Sequence, residues 1–203
     1  MPKIVDHDTR RTELLAAVCQ LVARVGIEEA NIRAIAAETG WSTGTLAHYF
    51  TNRDDIIEQT LKFVHLDQEQ RLFRFANSTK PTDERSLLRS LLEVGLPLDK
   101  ARRQEAAIEI CFWAESLHSM RLHQLQGTEL QRWIDGLEMI IARGVKRKAI
   151  DRSVKPPLAA KIVAAFADGL QLEAGLHPSQ YPPRVIRTML QEFLDRVVPH
   201  PDS

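Results

Sequence analysis

Two groups of side chains in this 203-residue sequence have types and spacing that could do chemistry. The first is Thr43, Gly44, Thr45 and His48, within IRAIAAETGWSTGTLAHYF (residues 32–50). All four are small or polar and fall on the outward side of a short helix, which can therefore enter a DNA major groove about 12 Å wide without steric conflict. The second group lies in AAIEICFWAESLHSM (residues 106–120), where Glu109, Phe112, Trp113 and Glu115 set aromatic rings beside carboxylates. Such a set can cage a cationic ligand, an attraction worth ~1–2 kcal/mol when desolvated. The same rings can serve only as packing in a buried helix. Trp133, Phe166 and Gln171 are further candidates for that pocket.

Catalytic chemistry finds little support. The chain holds no nucleophile–base–orienter set and no phosphate-cradling glycine loop. His118 and His123 are five residues apart, about 140° around a helix, so they do not readily share a metal. Cys19 and Cys111 lie far apart in apolar patterns with no metal-type spacing and read as small buried hydrophobes of a reducing compartment. No metal and no cofactor are expected.

Formal charge is zero, 27 basic against 27 acidic residues. A strongly basic footprint for nucleic acid is therefore excluded, and any DNA contact must come from a few placed groups. Even the first 53 residues balance, Lys3, Arg10, Arg11, Arg24, Arg33 and Arg53 offsetting Asp6, Asp8, Glu13, Glu28, Glu29 and Glu38. The charged opening MPKIVDHDTRRTE lacks a secretory apolar stretch, and no run approaches the ~18 apolar residues of a membrane span. A cytoplasmic protein with no membrane partner is expected.

The elements that must position these groups are helices throughout, because apolar residues recur at the 3.6-residue period and nowhere alternate. Leu14, Leu15, Val18, Leu21, Val22 and Val25 stripe a first helix that Gly26 ends as a left-handed cap. Asn31 caps a short second helix that Gly40 stops, Ser42 a third through Tyr49, and Asn52 a fourth reaching about Phe75. Ile35, Trp41 and Leu46 supply the apolar wedge that holds the second and third helices at a fixed angle. The linker NSTKPTD (residues 77–83) leads to further helices near 84–96, 100–117, 118–148, 157–176 and 183–198. Their boundaries fall at Pro97, Gly127-Thr128, Pro156-Pro157, Pro178 and Pro182-Pro183. The fold class is all-α, about nine helices: a three-helix helix-turn-helix domain over residues 1–52 and a helical effector-binding and dimerisation bundle over residues 53–203.

With its striped first helix after Arg10-Arg11, the Ile-Ala-x-x-x-Gly of helix two, Gly-Thr-Leu-x-x-Tyr-Phe of helix three and Arg53 at the start of helix four, the N-terminal quarter resembles the TetR family of bacterial regulators. The resemblance implies a homodimer that binds a near-palindromic double-stranded DNA operator and is released by a small-molecule inducer. It implies that Arg33 reaches a base edge or phosphate, that Thr43, Gly44 and Thr45 touch bases, that His48 and Tyr49 hold phosphates, and that Arg53 clamps another. Ala47 stands where many members have tyrosine, which leaves the base sequence open. Pairing through the last two helices would use Ile162, Val163, Phe166, Leu170, Ile186, Met189, Leu190 and Phe193; the alternative is that both stripes face the chain's own core. The block around Phe112, with the MPK and Arg10-Arg11 opening, resembles the subgroup that includes the choline-responsive betaine-pathway repressors. A helical carrier or enzyme with an incidental helix-turn-helix is the competing expectation.

Overall fold

The 3.6-residue stripes become nine α-helices, with no strand, over residues 7–78 and 81–201, which the computed structural model of the chain describes. They are α1 His7–Val25, α2 Ile32–Thr39, α3 Thr43–Tyr49, α4 Arg53–Ser78, α5 Glu84–Gly95, α6 Lys100–Ser116, α7 Met120–Lys146, α8 Pro156–Leu176 and α9 Pro183–Val197. The MPK opening and Thr79-Lys80 of the linker lie outside the described residues.

The caps follow the sequence. Gly26 and Gly40 sit at φ +83° and +69°, the left-handed region where a side chain is strained. Asn31 accepts from the backbone N–H groups of Arg33 and Ala34, and Ser42 accepts from that of Thr45. At α4 the bonding is reciprocal: Asn52 accepts from Asp55 N–H while the Asp55 carboxylate accepts from Thr51 N–H at 2.9 Å. That second bond leads the effects that hold the Asp55 carboxyl below the usual range. One expected boundary is absent, since α7 runs straight through Gly127 and Thr128. An interior glycine costs a helix roughly 1 kcal/mol against alanine, which weakens the helix without ending it.

The chain divides into two compact units. The first comprises the described residues up to Asp67 together with Ala107–Gln126; the second comprises Gln68–Ala106 and the described residues from Gly127 onward. The division falls inside α4, α6 and α7 rather than at residue 52. In the first unit Val18 and Val22 of α1, Ile35 of α2, Leu46 of α3 and Ile56 and Leu61 of α4 share a core with Ile108 and Phe112 of α6 and Leu122 of α7. In the second, Leu88 and Leu92 of α5, Leu137 and Ile141 of α7, Val163 and Leu170 of α8 and Ile186, Leu190 and Leu194 of α9 do the same.

Ion pairs tie the helices of each unit. Glu58 of α4, nearly buried, meets Lys62 at 2.7 Å and Arg121 of α7. Glu84 at the start of α5 is 5% exposed and holds Arg143 and Arg147 of α7 at 3.0 and 2.8 Å. Arg85 donates to the Val198 carbonyl at 2.9 Å and pairs with Asp195, fastening α5 to the end of α9. In each of these pairs one member is buried and its partner is largely exposed, so removing every partner of the buried member would leave a desolvated charge uncompensated.

The α8 and α9 stripes correct part of the expected subunit surface. Val163, Leu170, Ile186 and Leu190 are at most 4% exposed within the single chain, so they face their own core. α9 has one apolar side, but α8 is apolar on two, so an apolar stripe on α8 does not by itself say which side faces outward. Ile162 is exposed, Met189 is half-buried, and the half-buried Phe166 stacks on Phe193 with ring centres 3.8 Å apart.

Candidate nucleic-acid interface

The wedge that fixes α2 against α3 is built from side chains with little choice of partner. Ile35 and Leu46 are essentially inaccessible, and Trp41 meets Tyr49 edge-on with ring centres 5.0 Å apart. Between the helices, the Thr39 hydroxyl donates to the Ile35 carbonyl at 2.8 Å and accepts from Trp41 N–H at 3.3 Å, bracing the turn at Gly40. With one side of α3 committed to the wedge, Thr43, Gly44, Thr45 and His48 are left exposed together on the other. The Thr45 hydroxyl lies 2.8 Å from that of Ser42, so Ser42 both caps the helix and orients its neighbour. That role of Ser42 was visible in the sequence only as a cap.

The cations around this face differ in what they are doing. Arg33 is exposed on α2, and its guanidinium has no hydrogen bond or ion pair with the described residues. Arg24 of α1 pairs with Glu38 of α2. Arg11 lies over the Phe50 ring, 5.5 Å from its centre. Arg53 donates to the carbonyls of Ala30 (3.1 Å) and Ile27 and touches Asp54 at 3.3 Å. Three nitrogens of its guanidinium are thus engaged, and it anchors the α1–α2 connection. Tyr49 is half-buried against Trp41. The net result is a helix with no acidic residue, an arginine on α2 that is unengaged among the described residues, and the acidic Glu38 of α2 already paired.

The six residues expected to line an effector pocket do not gather within either unit. Glu109, Phe112 and Trp113 lie on α6 in the first unit; Trp133, Phe166 and Gln171 lie in the second. Phe112 has no exposed surface and is core. Glu109 is nearly buried, and Trp113, Trp133 and Gln171 are half-buried. A cleft of about 370 Å³ does exist in the second unit, lined by Thr82, Asp83, Glu84, Arg143 and Arg147 among others, and none of the six is in its wall. Among the described residues no group of three or more His, Cys, Asp or Glu side chains is placed to hold a metal ion. No helix there is long and apolar enough to cross a membrane.

Residues 14–60 match the family described as bacterial regulatory proteins, tetR family, and residues 84–199 match the BetI-type transcriptional repressor C-terminal family. The HTH-type transcriptional regulator BetI of Pectobacterium atrosepticum is 29% identical over 204 residues, covering 98% of this chain and all of that one. Its counterpart from Paraburkholderia phytofirmans is 27% identical over 198 residues, covering 98% of each. Among solved structures, a transcriptional regulator from Rhodococcus sp. Rha1 superposes with a TM-score of 0.81 at 25% identity, over 92% of this chain and 95% of the other. A transcriptional regulator from Saccharomonospora viridis in complex with choline gives a TM-score of 0.85 at 24% identity, over 94% and 98%.

Proposed function

The chain belongs to the TetR family, with a BetI-type repressor C-terminal domain, and from that premise we propose how this repressor reads DNA and what releases it. It is a DNA-binding regulator rather than an enzyme, and the α3 face is its reading head. The observation that carries this is the pairing of an exposed, acid-free α3 with the unengaged guanidinium of Arg33. Thr43, Gly44, Thr45 and His48 enter the major groove, and Arg33 reaches a base edge or phosphate, where a bidentate bond to guanine is worth about 1–3 kcal/mol of discrimination. Tyr49 adds a contact at the rim. In this division of labour residues 1–52 read DNA, while residues 53–203 bind the effector and dimerise. The protein works in the cytoplasm.

A homodimer is supported by an apolar stripe on the outer side of α8. Leu158, Ile162, Ala165, Gly169, Leu172 and Leu176 recur at helical spacing and are all exposed, Leu158 and Leu176 by 57% and 59%. Paired there, with Phe166, Met189 and Phe193 at its margin, two chains would set their α3 helices about one DNA turn, ~34 Å, apart on a near-palindromic operator.

The inducer is a small molecule, and choline is the first to test because it occupies a structural neighbour. The mechanism is a population shift: a ligand that prefers the arrangement with altered α4 tilt and α3 separation releases DNA, and one that binds both arrangements equally does nothing. Operators enriched from genomic fragments by the purified protein are titrated with wild type and Arg33→Ala. The variant is expected to bind about 1–3 kcal/mol more weakly with a shallower salt dependence. Unchanged affinity and salt slope would remove Arg33 from the interface, and failure to enrich any fragment would remove the reading head itself.

A further inference from the structure

Although the chain as a whole is neutral, the stretch where α7 ends and α8 begins is strongly basic. Arg143, Lys146, Arg147, Lys148, Arg152 and Lys155 are all exposed there, with Asp151 the one acidic residue among them. Two of the arginines are held in place from below. Glu84, buried in the first turn of α5, offers one carboxylate oxygen to both: Arg143 Nε lies 3.0 Å from it, and Arg147 Nη1 donates to it at 2.8 Å. α7 comes this close to α5 because residue 144 is glycine, where a Cβ would lie 2.6 Å from Ile150 Cδ1 and 3.2 Å from Glu84 Cβ. The chain then reverses, with Ala149 and Ile150 N–H both returning to the Gly144 carbonyl at 2.9 and 3.2 Å. Between these elements, all in the second unit, lies the cleft of about 370 Å³, whose walls set Thr82, Asp83 and Glu84 against Arg143, Arg147 and Ala149.

One carboxylate oxygen engages only part of two guanidiniums, each of which carries five N–H donors. The terminal nitrogens of Arg143, and Nε and Nη2 of Arg147, have no partner among the described residues. The other wall carboxylate, Asp83, is turned to the start of α5, where it accepts from Ser86 N–H at 2.8 Å. Lys146 and Lys148 adjoin the arginines in the chain and are likewise unpartnered among the described residues, so four cations stand against two carboxylates. Positioned guanidinium forks with surplus positive charge take an oxyanion, because their paired N–H groups match carboxylate and phosphate oxygens. A surplus of two charges favours a phosphate monoester, with about −1.5 to −2 charge near neutral pH and three acceptor oxygens, over a singly charged carboxylate. Small-molecule pockets span roughly 300–1,000 Å³, and this cleft is at the low end, which suits a phosphate carrying a small organic group.

We propose that this cleft is an anion-binding site for the phosphate group of a small metabolite, with Arg143 and Arg147 as its paired donors. The test is calorimetry on the full-length protein with phenyl phosphate, inorganic phosphate and benzoate. It is run at about pH 7.5, above the second phosphate pKa of about 6, and at fixed ionic strength so that screening is constant. Phenyl phosphate is expected to bind one per chain with a dissociation constant below about 10 mM, and benzoate about fivefold or more weakly. Inorganic phosphate binding as tightly as the ester would assign the site to the free ion, and weaker binding to an ester; both support a phosphate site. Arg147→Gln, which leaves Arg143 to hold Glu84, should weaken phenyl phosphate about tenfold, and Arg147→Lys should fall between, since an ammonium lacks the fork. If the glutamine variant does not fold, the lysine variant, which keeps a cation beside Glu84, carries the comparison. Arg152→Gln, outside the cleft wall, should change the affinity by less than about twofold. No saturable binding of either phosphate, benzoate binding as tightly as phenyl phosphate, or Arg147 variants that bind like wild type would overturn the proposal. So would an Arg152→Gln loss equal to that of Arg147→Gln, or displacement of phenyl phosphate by a random-sequence DNA duplex, either of which would make the stretch a diffuse polyanion surface.

Discussion

Arg33 and Arg53 flank the same face with the same charge, and their surroundings give them different roles. Arg33 is exposed with a guanidinium that has no partner among the described residues, whereas Arg53 spans the carbonyls of Ala30 and Ile27. Hydrogen bonds from a charged donor contribute roughly 1.5–3 kcal/mol each when well made. Arg53→Ala should therefore lower the unfolding free energy by about 2 kcal/mol in urea titrations, and Arg53→Lys should recover little, since a single ammonium does not reproduce the planar fork. Stability equal to wild type, with DNA affinity alone reduced, would return Arg53 to the phosphate-clamping role expected from the resemblance. The arginine's position was legible in the sequence. Its partners were not, because they are main-chain carbonyls 23 and 26 residues away.

The helix-turn-helix contains two glycines that the fold treats oppositely. Gly40 closes α2 at φ +69°, where a side chain costs about 1–2 kcal/mol, so Gly40→Ala should lower the melting temperature. Gly44 lies inside α3 with ordinary helical backbone, and a Cβ there would meet only the Ser42 hydroxyl, at 3.7 Å. Alanine is the better helix former by roughly 0.5–1 kcal/mol, so Gly44→Ala should leave stability equal or raised. The same variant should weaken operator binding, because the added methyl occupies the space through which DNA approaches α3. A stabilised variant with full DNA affinity would show that nothing comes close at this position. The caps and both glycines could be read from local order, since each bond or backbone constraint spans four residues or fewer.

At the scale of the whole molecule, the α8 stripe is an exposed apolar surface at helical spacing. Leu158→Glu places a charge at its N-terminal end on a side chain that is 57% exposed in the single chain. Sedimentation should show a dimer for wild type and a shift toward monomer for the variant, with operator affinity falling in step as the two half-sites lose their linkage. A variant that remains a dimer would move the subunit contact off this stripe. The sequence offered the α8 and α9 stripes either as a subunit contact or as the chain's own core, and four of the eight residues, Val163, Leu170, Ile186 and Leu190, are interior.

The helices, their caps and the presence of a helix-turn-helix were determined by the sequence itself, because they depend on periodicity and on contacts within a turn or two. The tertiary structure decided which stripe is inside, that α6 lends Ile108 and Phe112 to the core shared by α1 to α4, and that Arg53 is anchored while Arg33 has no partner among the described residues. Each of these turns on groups distant in sequence meeting, or failing to meet, in space. Periodicity can say that a helix has two faces; only packing against specific neighbours says which one loses its water.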